Sequence, residues 1–292
     1  MSLWTTFIDW IRGDRMIHLK SAREIDHLRE SADLVGRTLA EVAKHVRAGV
    51  TTAELDAIAE DFVRTHGAEP AFKGYEIDGS VPPFPGTLCT SVNDVVVHGI
   101  PSDYALQEGD LLSVDCGVEL NGYYGDSAYT FAVGELDPED VALCRATFAA
   151  LNKGVTQAVV GHRIGDISSA IQTHCEAKNY GVVRDLVGHG IGRSLHEDPQ
   201  VPNYGQAGRG RKLRAGLTMC IEPMVNRGIG EVTTDDDGWT VRTQDGLPSA
   251  HYEHMVVVQE GQAEVLSTFE YIEDVTDAPY NQSPQQERVA NG

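Results

Sequence analysis

Asp115 and Asp126 lie within LLSVDCGVELNGYYGDSAYTF, residues 111–131. Asn121-Gly122 can supply the two positive φ angles of a type I′ turn, and Val, Tyr, Leu and Phe flank it, so a β-hairpin is expected. With those two residues as the loop, Leu120 pairs with Tyr123, Asp126 lies opposite Gly117, and Asp115 lies opposite Ala128. Opposed residues share a face and faces alternate with period two, which makes the two aspartates diagonal neighbours on one face. Carboxylates about 5 Å apart repel by roughly 3 kcal/mol at an effective dielectric of about 20. A cation between them would relieve that repulsion. Taken alone, the pair reads more readily as two acids on the solvated face of an antiparallel hairpin, and it is the rest of the chain that supplies the other ligands.

Further donors lie downstream. Gly188-His189-Gly190 places an imidazole where glycines remove crowding, Glu222 ends the apolar run LTMCIEP, and Glu253 precedes the run MVVV. A carboxylate beside an apolar strand enters a core only when it is paired. Asp115, Asp126, His189, Glu222 and Glu253 form a set of oxygen donors plus one imidazole that suits Co, Mn, Fe or Zn without singling one out. Charge counting favours two divalent metal ions: four carboxylates carry −4, two cations with one bridging hydroxide bring this to −1, and one cation alone leaves −2. His98 and His196 are, by type alone, ordinary strand-end or loop histidines. DDDG, residues 235–238, lacks the spaced acceptors of a calcium loop and reads as a solvated turn.

Helices and strands must bring these residues together. Ser21 with Glu24 and Thr51 with Glu54 are capping boxes, opening amphipathic helices that run to Gly49 and Gly67. Residues 68–86, rich in Gly, Pro and aromatic rings, read as an ordered pocket-shaping loop. A strand pair around Asn93-Asp94 should end at His98. After the hairpin, Asp137-Pro138 starts a helix running to about Val160, and Asp166 opens another that closes near Gly181. Strands are expected over Val182–Val187, at LTMCIEP, over Thr240–Gln244 and at MVVV. The order helix, helix, strands occurs twice without a residue-level repeat.

The chain has 292 residues and a net charge of −21, which argues against nucleic acid as the main partner because a phosphate backbone needs a basic face. The acidic surplus and scarcity of Lys would suit a salt-adapted host. Arg209, Arg211, Lys212 and Arg214 form a local basic cluster, either a solvated loop or a contact for ribosomal RNA. The five cysteines show no C-x-x-C spacing, as in a reducing, cytoplasmic compartment, and no apolar run approaches a membrane span. Residues 1–15 read as an extension whose aromatic face docks on the domain, 16–272 as the folded domain, and 273–292 as a disordered tail.

The order Asp, Asp, His in GHGIGRSLHEDP, Glu in MCIEPM and Glu in YEHMVVV resembles the methionine aminopeptidases of the pita-bread fold, over about residues 16–270. Its short spacings resemble the type 1, bacterial form. The resemblance implies an α+β fold of pseudo-two-fold halves, with a central curved antiparallel sheet flanked by helices. It implies that Asp126 and Glu253 bridge two metals, that Asp115 chelates one, and that His189 and Glu222 complete the other. A metal-bridging water would attack the first peptide carbonyl, Glu222 would handle its proton, and His98 and His196 would bind the scissile amide. The methionine pocket would draw on Tyr75, Cys89, Leu195 and Trp239, with Phe72 and Phe84 beside them. Two departures bear on that pocket: the loop between Tyr75 and Cys89 is longer than usual, and Leu195 stands where an aromatic is common. The implied substrate is the N-terminus of a nascent polypeptide with a small second residue, and the implied state is a monomer. Met1 precedes Ser2, a small residue, whereas a start at Met16 would place Ile17 second.

Two other readings compete. Aminopeptidase P or prolidase would share the fold but generally carries a large preceding domain. A non-catalytic peptide-binding module would lack the ligands.

Overall fold

The computed structural model describes residues 17–77 and 79–276. The N-terminal extension expected to dock through its aromatic face lies outside them, as does the tail from residue 277. Both capping boxes form. Ser21 caps helix α1 (Ala22–Ala43) and Thr51 caps α2 (Thr52–Thr65), each hydroxyl accepting from the backbone of a glutamate that reaches back to the cap N–H. Helix α1 stops short of Gly49, its cap at Lys44 bonding back to Val42.

Strands β1 (Leu88–Val92) and β2 (Val95–Val97) follow. They do not form the expected pair with each other. Instead β1 pairs antiparallel with β3 (Leu111–Leu120), whereas β2 leads into a different sheet. Strand β3 turns through Asn121 (φ 55°) and Gly122 (φ 79°) into β4 (Tyr123–Ala132), with Leu120 opposite Tyr123, Asp115 opposite Ala128 and Gly117 opposite Asp126. The register matches the reading from the turn. Helix α1 crosses this hairpin at Gly125, where a Cβ would come within 2.5 Å of the Ser31 backbone.

The second half repeats the order. Pro138 begins α3 (Pro138–Gln157), capped by Asp137. Helix α4 (Ile164–Glu176) begins two residues before Asp166, whose carboxylate accepts from Arg163 N at 2.7 Å from the third helical position. It ends before Gly181 because Asn179 takes a left-handed conformation (φ 63°). The strand expected over Val182–Val187 is broken. Gly181–Val182 joins one sheet, and β5 (Val187–Gly190) joins another and carries His189. Then come β6 (Glu197–Pro202), β7 (Thr218–Ile221), β8 (Met224–Asn226), β9 (Val241–Thr243, the partner of β2), β10 (Ser249–His251) and β11 (His254–Val257). Strands β11, β7, β5 and β6 are successive neighbours in an antiparallel sheet.

The central antiparallel layer is thus shared among several hydrogen-bonded sheets flanked by helices, in the α+β arrangement expected. The halves are tied by polar contacts. Glu253 N donates to Ala128 O at 2.9 Å, Ser127 Oγ donates to Glu253 O at 2.7 Å, and Thr130 Oγ1 bridges the backbone N and O of His251. Such bonds satisfy buried backbone groups where two sheets meet without a ladder.

Candidate active site

The cross-half bonds carry Glu253 onto the hairpin face that holds Asp115 and Asp126. All five expected ligands line one cavity, together with His98, His196, Tyr75, Cys89, Leu195 and Trp239. His189 Nε2 lies 3.8 Å from Asp126 Oδ2 and 3.5 Å from Glu222 Oε1. Its Nδ1 is 3.0 Å from Gly190 O, so the Nδ1–H donates there and the Nε2 lone pair faces the carboxylates. Ligand atoms of Asp126, His189 and Glu253 lie within 4.8 Å of one another, as do those of Asp115 and Glu253.

Electrostatics mark the cluster as unfinished by protein groups alone. Asp115 Oδ1, Asp126 Oδ1 and Glu253 Oε1 are buried without a hydrogen-bond partner among the described residues. Burial pushes the Asp115 carboxyl up to about 7. Burial, reinforced by neighbouring carboxylates, raises Asp126, Glu222 and Glu253 well above the usual range. Burial also lowers the imidazoles, His98 and His189 to about 4 and His196 well below its ordinary value. Orphaned carboxylate oxygens facing a neutral imidazole are what a divalent cation would satisfy, so the donor set fits a metal centre. Cys220 also reaches this cluster, but burial raises its thiol, which hydrogen-bonds Glu253.

His98 follows β2 with φ 58°, an uncommon backbone state for a side-chain-bearing residue. The adjoining Gly99 makes it possible: a Cβ there would sit 2.3 Å from Thr90 O, and Gly99 O accepts from Thr90 N at 2.8 Å. His196 packs edge-on against His189 with centroids 4.4 Å apart, and its Nδ1 lies 2.7 Å from Tyr75 Oη. Beyond the histidines is an apolar recess. Phe72, Phe84, Cys89, Leu195 and Trp239 are buried in one cluster, with Tyr75 and Ile77 packed against it. Phe84 meets Trp239 edge-to-face at 5.3 Å, and Trp239 Nε1 donates to Pro82 O at 2.8 Å.

Sequence reading missed two features. The turn over Asp235–Gly238 is exposed at Asp236 and Asp237, yet the Asp237 carboxylate accepts from Trp239 N, Thr240 N and Thr240 Oγ1, which fixes the Trp239 wall. His251 lines the cavity, and its position two residues before Glu253 was the signal for it. Arg209, Arg211, Lys212 and Arg214 are exposed and line none of this cavity.

A two-halved α+β fold that converges four carboxylates and an imidazole beside an apolar recess is the architecture of a metallopeptidase. The chain belongs to metallopeptidase family M24, whose family model matches residues 26–260. It is 50% identical over 256 residues to a methionine aminopeptidase of Clostridium acetobutylicum, a match spanning 87% of this chain and 100% of that one. Among solved structures it resembles methionine aminopeptidase from Rickettsia prowazekii at TM-score 0.84 and 37% identity, over 87% of this chain and 100% of that one. The prolidase of Pyrococcus horikoshii shares the fold at TM-score 0.70 and 22% identity, covering 89% of this chain and 66% of its own. Among the described residues no helix is long and apolar enough to cross a membrane.

Proposed function

We propose that the chain is a type 1 methionine aminopeptidase that removes the first methionine from nascent polypeptides when the second residue is small. The observation that carries this reading is the apolar recess walled by Phe84, Cys89, Leu195 and Trp239, opening directly beside the carboxylate cluster. An unbranched thioether fits such a recess better than a polar side chain does. Asp115, Asp126, His189, Glu222 and Glu253 would hold two divalent ions, of Co, Mn, Fe or Zn. When bound, these supply an acidified water and a Lewis acid for the peptide carbonyl. Glu222 would take the water's proton and deliver it to the departing nitrogen. His98 and His196, both neutral, donate N–H groups to the scissile amide, and the Tyr75 O–H on His196 Nδ1 leaves Nε2 as that donor.

Metal-stripped protein titrated with each ion should release methionine from Met-Ala-Ser and leave Met-Leu-Ser and Ala-Pro-Ala largely uncut. His196→Ala should cost on the order of 10²-fold in kcat. Preferential cleavage of Ala-Pro-Ala would move the assignment to an X-Pro peptidase, and no turnover with any ion would leave a peptide-binding module.

The turn that seats Trp239 offers a separate check on the recess. Asp237→Ala removes three hydrogen bonds from the wall and none from the reacting groups. KM for Met-Ala-Ser should rise roughly fivefold with kcat held within about twofold. An unchanged KM would show that Trp239 does not contact the methionine.

We further propose that the protein works as a cytoplasmic monomer that meets nascent chains at the ribosome through Arg209, Arg211, Lys212 and Arg214. Assembly of the whole site from one chain supports the monomer, and the exposure of this basic cluster in an acidic protein supports the contact. Sedimentation velocity should give about the monomer mass of 31.7 kDa. Co-sedimentation with ribosomes should fall as salt rises and be lost when the four cations are replaced by Ser. A dimer, or ribosome association indifferent to these changes, would overturn the respective part.

A further inference from the structure

His251 has no place in the ligand set described above, yet it is 1% exposed and lies against that set. A ring nitrogen of His251 and carboxylate oxygens of Asp115 and Glu253 lie within 4.8 Å of one another. Both the backbone and the ring of His251 are held. Its backbone N and O are both engaged by Thr130 Oγ1, on the strand that carries Asp126, and its Nδ1 faces Pro223 O at 3.4 Å. An Nδ1–H directed at that carbonyl fixes the tautomer and leaves the Nε2 lone pair for the acids.

The distribution of donors gives this placement meaning. On one side of the cluster, His189 Nε2 stands among Asp126, Glu222 and Glu253. On the other, Asp115 and Glu253 each hold an orphaned buried oxygen, with no assigned nitrogen donor. An all-carboxylate site favours hard ions such as Mn, Mg or Ca, whereas an imidazole shifts preference toward Co and Zn. Resting on the two-ion reading above, we propose that His251 Nε2 is a further metal ligand, donating to the ion held by Asp115 and Glu253, so that each ion has one imidazole.

The test reads metal binding rather than turnover. In wild-type protein labelled with ¹⁵N-histidine, two equivalents of Zn should move two imidazole Nε2 resonances to metal-bound positions, the first belonging to His189 and the second to His251. Cobalt titration followed by calorimetry and visible absorption should show His251→Gln weakening the second equivalent about tenfold or more, with the first unchanged within about threefold. The second-equivalent absorption should change shape as a nitrogen donor is lost. A single shifted imidazole, or two equivalents bound by the variant with wild-type affinity and spectrum, would make His251 a hydrogen-bond partner only and overturn the proposal. Binding of just one ion by the wild type would overturn it together with the two-ion reading, whereas two ions with one shifted imidazole would remove His251 alone. The labelling result stands on wild-type protein, so a variant that failed to fold would not shield the proposal.

Discussion

Asp126→Asn should lower kcat/KM for Met-Ala-Ser on the order of 10³-fold or more while leaving the protein folded. The side chain is 4% exposed, sits 3.8 Å from His189 Nε2 and shares its cavity face with Asp115 and Glu253. An amide keeps the shape but removes the charge that two cations would share, so both the ions and their geometry are affected. The same change removes one of four mutually repelling acids from a buried site. The metal-free variant should therefore melt higher than metal-free wild type, whereas the loaded variant should gain less from added Co or Mn than wild type does. Activity within tenfold of wild type would sink the central role given to Asp126. Equal melting temperatures without metal would mean that burying Asp126 beside the other acids costs the empty site no stability.

Legibility of the sequence followed how local the governing physics was. The hairpin was readable to the residue because Asn121-Gly122 fixes both turn angles and hence the pairing of Asp115 with Ala128. The two capping boxes were equally explicit, since each needs only four consecutive residues. The misplaced α4 start came from reading Asp166 as the cap when its carboxylate reaches back from the third helical position. The strand expected over 182–187 failed for a different reason. Val182 pairs with Val225 in one sheet and Val187 with Pro202 in another, a divergence that alternation of residue types does not encode. Convergence of the hairpin with Glu253 is also non-local. It depends on bonds such as Glu253 N to Ala128 O, across 125 positions of chain, so residue types could nominate the five ligands and the resemblance their roles, whereas only the fold brings them together. His251 was within reach of a period-two argument from Glu253, but an isolated histidine carries too little information to be weighed without its neighbours.

Metal-free protein should lose stability as pH rises above about 6.5, and metal-loaded protein should not. Two sets of buried groups titrate in opposite senses. The imidazoles of His98, His189 and His251 are lowered by burial to about 4, so unfolding takes up protons between about 4 and 6.5 and their contribution to stability is lost as pH falls through that range. The carboxyls behave inversely. Asp115 is raised to about 7 and Asp126, Glu222 and Glu253 are raised further from their ordinary values, so the folded state holds protons that the unfolded state has released. Stability from these groups is fully present below the unfolded carboxyl range and is lost as pH rises through the folded values. Below 6.5 the two sets oppose each other. Above it the histidines are neutral in both states and the carboxyls act alone. One retained proton gives a slope of about 1.4 kcal/mol per pH unit. Asp115, raised to about 7, gives up its proton within this interval, so the Tm of the metal-free protein should fall between pH 6.5 and 8. Divalent ions replace those protons with fixed charge, so saturating Co or Mn should flatten the profile or reverse it, since metal affinity itself rises as competing protons leave. Calorimetry of stripped and loaded protein across this interval is the check. Parallel profiles would mean that the four carboxyls are not the groups that set the stability of the empty site.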